Sequence, residues 1–165
     1  MARWLVKSEP SVYSYAALER DGHTEWDGVH NALALQHLKR MRPGDRLMFY
    51  HSGAERAGVG IARVASMPHP DPTDARGSCS VEVRPVRRLQ GPIPLAELRS
   101  DRGLAGFILL RFSRLSVLPV TADQWDRVLS HEPGSAGARG PARQGSARGS
   151  RSSHRVAAAR KRGAT

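Results

Sequence analysis

Apolar residues along this chain fall into short blocks, each closed by a proline, a glycine or a cluster of small polar residues. Arg3 to Lys7 is aromatic and β-branched and stops at Ser8-Glu9-Pro10, where proline cannot donate to a ladder. That pattern predicts a strand that carries Lys7, Ser8 and Glu9 to its end. Tyr15 to Arg20 predicts a brief helix with Ser14 as cap and Asp21-Gly22 as stop. After Asn31, Leu33, Leu35, Leu38 and Met41 recur at mixed helical spacing, and Lys39, Arg40 and Arg42 precede the Pro43-Gly44 stop. Asn31 is thereby placed at a helix N-terminus.

Arg46 to His51 and Gly58 to Ser66 predict two strands of a hairpin around Ser52 to Ala57. Met67 to Gly77, with Pro68, Pro70 and Pro72, predicts a connecting loop. Ser80 to Arg84 alternates, which turns Val81 and Val83 to the core. Pro94 to Arg99 and Asp101 to Gly106 predict short helices, and Leu115 to Val120 a strand. Thr121-Ala122-Asp123-Gln124 is a capping box that opens a helix burying Trp125, Val128 and Leu129. Strands and short helices interleave without a repeating βαβ unit, so the expected class is α+β: a small curved mixed sheet or partial β-barrel with helices packed on it.

Three of these element ends gather aromatic rings with polar groups: Trp4 to Pro10, Trp26 to Asn31 and Phe49 to Ser52. An apolar core needs the rings alone, whereas a nucleobase pocket needs a stacking face together with donors and acceptors for the base edge. Trp26 stands between Glu25 and Asp27-Gly28 without a helical or alternating apolar pattern, and it reads as a pocket wall, with core packing as the alternative. Trp4 and Trp125 read as core.

Lys7 and Ser8 end a strand that Pro10 prevents from continuing, so their polar groups are free for a ligand or for a local turn. Glu9 suits an exocyclic amine, as carboxylates suit cytosine N4. Asn31 suits a base edge, a helix cap, or both at once. Strand alternation turns Tyr50 and Ser52 one way and His51 the other, so all three share a pocket only if the strand ends in a bulge. Arg111 suits a phosphate or a ring face, with a surface ion pair as the alternative.

Charge divides the chain. Its 26 basic and 15 acidic residues give +11. Eight of the basic residues and none of the acidic ones lie in 133–165, which leaves residues 1–132 with eighteen basic against fifteen acidic, or +3. The tail is otherwise Gly, Ala, Ser and Pro and has almost nothing to bury, so a disordered basic arm is expected beyond a folded domain of residues 1–132. Such an arm attracts nucleic acid through its phosphates without reading sequence. The lone Cys79 and the absence of a signal-peptide pattern or a bilayer-length apolar run fit a soluble cytoplasmic protein, nucleoid-associated or, in a eukaryote, nuclear, with no membrane contact.

The motif blocks resemble the EVE domain family. They are Trp4 to Pro10, Asp21-Gly22, Thr24 to Val29 with Asn31, Arg42 to Asp45, Phe49 to Ser52, Gly58 to Ala62, Pro70 to Thr73, Val81 to Leu89, Leu109 to Arg111, and Leu115 through Pro119-Val120. They run in family order over roughly residues 3 to 130. The resemblance implies a PUA-like fold, related to the YTH and ASCH domains, with a pocket for a modified nucleobase in DNA or RNA. It carries over Lys7-Ser8 and Trp26 as pocket residues, and Ser116 joins them on the family pattern alone. His30 stands where the family usually has Arg, and the loop at Arg76-Gly77 is shorter than in eukaryotic members.

Catalysis is not expected. There is no nucleophile elbow and no phosphate-cradling glycine loop, and Gly58-Val59-Gly60 lacks the third glycine of a dinucleotide motif. The seven histidines are scattered, with no zinc spacing, so neither a metal nor an organic cofactor is expected. The expected function is a module that reads a modified nucleobase, its partner being nucleic acid and no obligate protein. The rivals are an enzyme acting on modified nucleotides or RNA and a nucleic-acid-associated scaffold without base readout.

Overall fold

The sheet is organised around β1 (Arg3–Ser8), which pairs in parallel with β3 (Arg46–His51) and antiparallel with β7 (Val117–Val120) in the computed structural model, which describes residues 1–135. β3 pairs antiparallel with β4 (Ala57–Val64), and β4 with β6 (Cys79–Pro94). β6 also holds β2 (Thr24–Trp26) and the two-residue β5 (His69–Pro70). The order is β2-β6-β4-β3-β1-β7, with β5 as a side pairing on β6. This is the curled mixed sheet expected of a partial barrel.

Local chemistry set most helix ends. In α1 (Tyr15–Asp21) the Ser14 hydroxyl accepts from the Ala17 amide, and Gly22 closes the helix at φ +76°. In α2 (Ala32–Arg40) the Asn31 side-chain oxygen accepts from the Leu33 and Ala34 amides, each at 3.0 Å. α3 (Leu95–Ser100) and a 3-10 turn (Arg102–Leu104) follow β6, and α4 (Ile108–Arg111) precedes β7. α5 (Ala122–Leu129) opens on the reciprocal Thr121–Gln124 capping box.

Sequence patterning misses β2, β5, α4 and most of β6. β2 and β5 are too short to show a period. Pro85, Gly91 and Pro92 are residue types that ordinarily break a strand, yet β6 runs through them: Pro85 keeps its place opposite Ala62, and Gly91 and Pro92 fall between Arg88 and Ile93, where the register with β4 shifts. A bulge leaves a residue unpaired, so a missing N–H costs nothing there, and it bends the strand.

Phe49 sits at the centre of the core. Tyr15 and Trp26 meet its ring edge-on, each with centroids 5.4 Å away. At the far end of the sheet the buried Asp45 carboxylate accepts from the Trp4 indole N–H and the Ala2 and Arg42 amides, all at 3.0 Å. The chain stays attached beyond α5. Glu132 is buried and takes a two-pronged hydrogen bond from Arg87 at 2.7 and 2.9 Å, and a third from the Gln90 amide. The expected disordered tail lies outside the described residues from position 136 onward.

Candidate nucleic-acid interface

β2 lies at one end of the strand order and β1 next to the other end, yet the sheet curls until β2 comes opposite the end of β1 across an opening. That gap is a cavity of about 530 Å³. One wall is the end of β1, with Lys7, Ser8 and Glu9; the other is β2 and the turn after it, with Glu25, Trp26 and Asp27. Ser116 closes the side next to β1, where its carbonyl accepts from the Lys7 amide at 2.9 Å. Gly28, at φ +67°, turns the chain directly after the Trp26-Asp27 wall, a conformation that a Cβ would strain. The volume lies within the range of about 300–1,000 Å³ usual for small-ligand sites.

Trp26 is both core and wall. It is only 9% exposed, its register partner is Val81, and its ring edge rests on Phe49, yet it lines the cavity. The pocket and core readings of this residue therefore coexist. Ser8 donates its hydroxyl proton to the Tyr13 carbonyl at 2.6 Å, which leaves its oxygen lone pairs to accept. The Lys7 ammonium donates to the Ser113 carbonyl at 2.9 Å, and its partial burial lowers its pKa below the ordinary lysine value. Glu25 is bound from outside the cavity, at 3.0 Å by the His69 ring and at 2.9 Å by the Ser80 hydroxyl. Three carboxylates against one ammonium make the lining rich in acceptors.

The remaining sequence candidates lie elsewhere. Asn31 and Arg111 line a neighbouring groove of about 330 Å³ together with Leu33, Phe112 and Arg114. Asn31 spends its amide oxygen on capping α2, so its NH2 group alone is left to donate outward. Tyr50 and Ser52 line a third concavity on the other side of Lys7. The register between β3 and β4 shifts at Phe49 and Tyr50, but the residue left over is Val59 of β4, not one of β3, and His51 still faces inward. Its Nε2 accepts from the Tyr15 amide at 3.0 Å, capping α1, and its Nδ1 meets the Glu55 carboxylate at 2.8 Å. His51 is absent from the linings of all three concavities. His30 reaches out to Asp74 at 2.8 Å and does not line the cavity.

Tyr13, Thr24 and Glu25 line the cavity without having been singled out from the sequence. Tyr13 and Thr24 belong to a loop and a three-residue strand without a period, while Glu25 had one visible cue, its place beside Trp26. No group of three His, Cys, Asp or Glu side chains is placed to hold a metal ion among the described residues, and no helix among them is long and apolar enough to cross a membrane.

Comparison with known proteins agrees with this architecture. Human thymocyte nuclear protein 1 is 30% identical over an alignment that covers 79% of this chain and 74% of the relative. A Rhodopseudomonas palustris protein solved by NMR superposes with a TM-score of 0.76 at 41% identity, covering 80% of this chain and 93% of that one. The crystal structure of human THYN1 protein in complex with DNA containing 5-methylcytosine superposes with a TM-score of 0.73 at 28% identity, covering 86% of this chain and all of that one. The EVE domain family model matches residues 2–131, nearly the whole folded part, and the chain belongs to the EVE domain family.

Proposed function

We propose that this protein binds nucleic acid by taking one modified nucleobase, flipped from a duplex or already unpaired, into the cavity between β1 and β2. The observation that carries this reading is the placement of the Trp26 indole in the wall of an opening bordered by hydrogen-bond acceptors. Glu9, Glu25, Asp27 and the Ser8 hydroxyl oxygen suit a base whose edge carries an amine, as cytosine N4 and adenine N6 do. The complex of human THYN1 with 5-methylcytosine DNA supports the same ligand class, and makes 5-methylcytosine the first base to try. Stacking supplies affinity, and the edge contacts supply discrimination.

Lys7, Ser8, Glu9, Trp26 and Ser116 form the base site in this reading, with Asn31 and Arg111 on the path of the strand beside it. No metal or organic cofactor takes part, and binding rather than turnover is the activity. The cavity lining contains no histidine and no thiol, and the Ser8 proton is already committed to the Tyr13 carbonyl. The eight basic residues after position 135 add phosphate affinity independent of sequence.

Titration of the full chain against matched single-stranded and duplex DNA and RNA oligonucleotides, each with one cytosine either unmodified or 5-methylated, tests the proposal. Tighter binding of the methylated member of a pair is expected. Equal affinity for both members of every pair would leave a scaffold without readout of this base, and product formation would make the protein an enzyme.

A further inference from the structure

Tyr50 and Ser52 have no part in the base cavity, yet they are not idle core residues. They line a separate concavity of about 310 Å³ that shares Lys7 with the base cavity and draws in Arg56 and Arg99. Its lining holds three cations and the hydroxyls of Tyr50, Ser52 and Ser113, and no carboxylate. The arginine ion pairs among the described residues lie elsewhere, as in Arg87–Glu132 and Arg127–Asp101, and neither Arg56 nor Arg99 has a carboxylate partner among them. Three like charges drawn to one concavity repel one another, and the Glu9 carboxylate, packed over Gly53 of this lining, forms no ion pair with any of them among the described residues.

Backbone geometry adds an independent sign. Arg56 is the one non-glycine residue among the described residues with positive φ, at 45°. A side chain disfavours that conformation, and such residues persist where surrounding structure enforces them. Here the Arg56 carbonyl accepts from the Leu95 amide at 2.8 Å, and its Nε donates to the Gly53 carbonyl at 3.2 Å. The two terminal nitrogens of the guanidinium remain available as a fork. Arg56 and Arg99 both lie close enough to Tyr50 to oppose the rise that burial imposes on its phenol pKa. The Lys7 ammonium lies 6.0 Å from the centroid of the same ring.

The concavity and the base cavity are joined. Lys7 lines both, and the Ser52 amide donates to the Ser8 carbonyl at 3.0 Å. The Glu9 carboxylate, of a residue in the base-cavity wall, lies so close over Gly53 that a Cβ there would collide with its oxygens. We propose that Lys7, Tyr50, Ser52, Arg56 and Arg99 form a binding site for a backbone phosphodiester of the nucleic acid, adjoining the base that occupies the neighbouring cavity. The placement of that phosphate beside a captured base rests on the base-binding function proposed above; the anion site itself does not. Forked guanidinium donors and an ammonium suit a tetrahedral oxyanion, and the hydroxyls suit its remaining oxygens.

Two measurements on the full chain test the site. In the first, the arginine Nε–H resonances are followed by NMR during titration with inorganic phosphate. Saturable shifts at Arg56 and Arg99, with the exposed Arg76 and Arg102 as references, are expected. Absent shifts, or equal drift at all four, would overturn the site.

In the second, single-stranded oligonucleotides carrying one 5-methylcytosine are compared with the same strands bearing a neutral methylphosphonate at a single linkage, moved stepwise around the modified base. The variant is Arg56→Gly combined with Arg99→Ala, the glycine being suited to the positive φ. It should bind the charged strand at least tenfold more weakly than wild type, and the loss should vanish when one particular linkage is neutral. A loss unchanged by every neutral linkage would overturn the phosphodiester assignment and leave a site for free phosphate. If methylated and plain strands bind alike while one neutral linkage still abolishes the effect, the base reading fails and the phosphate site stands.

Discussion

Replacing Trp26 tests the base site most directly, and the burial of its ring dictates how. With only 9% of the residue exposed and an edge-on contact to Phe49, Trp26→Ala opens a void under the sheet. Such truncations cost about 3–5 kcal/mol, a large share of the roughly 5–15 kcal/mol that holds a domain together. Lost binding in that variant would report unfolding as readily as a missing stacking face. Trp26→Leu keeps much of the apolar volume and removes the π system. Its folding cost combines the edge-to-face contact with some lost apolar area, about 1–3 kcal/mol in all. Binding loses a stacking contribution of about 1–3 kcal/mol, which is roughly 5- to 150-fold in Kd. The assay is fluorescence anisotropy of a labelled strand carrying one 5-methylcytosine, with urea unfolding of the same sample to establish that it is folded. A folded Trp26→Leu protein that binds within twofold of wild type would refute the stacking role.

Three further outcomes are expected. Asp45→Ala strands the Trp4 indole N–H and the Ala2 and Arg42 amides at the opposite end of β1 from the cavity; it should lower unfolding stability by about 3 kcal/mol and leave oligonucleotide affinity unchanged, as urea unfolding and anisotropy would show. Hydrogen bonds from Arg127 and then His131 hold Asp101 well below its ordinary value of 3.8, and Arg87 holds Glu132 below 4.5. The folded chain therefore binds fewer protons than the unfolded one in that range, so this stabilisation is complete above about pH 4.5 and fades as pH falls through the lower folded values, an acid-side drop readable in urea midpoints between pH 7 and 3. Deleting residues 136–165 removes eight basic residues and should flatten the dependence of log K on log salt; an unaltered slope would mean the arm contacts no phosphate.

What the sequence determined by itself was local. Ser14, Asn31 and Thr121 cap helices because a side-chain oxygen and an orphan amide two or three residues away need nothing else. The inward faces of Val81 and Val83 and the burial of Trp125 and Val128 followed from periodicity. So did the delivery of Lys7, Ser8 and Glu9 to a strand end, and the opposition of Tyr50 and Ser52 to His51.

Tertiary structure alone decided how these pieces meet. It put Trp26 across from Ser8 by pairing a three-residue strand with β6, and it sent Tyr50 and Ser52 to a concavity of their own. It also spent His51 on the Tyr15 amide and carried β6 through Pro85 in register and through Pro92 at a register shift. The curl of the sheet brings β2 opposite the end of β1. The curvature arises from pairings between residues far apart in the chain, which no local window of sequence contains, and the cavity exists only because the curl stops short of closing.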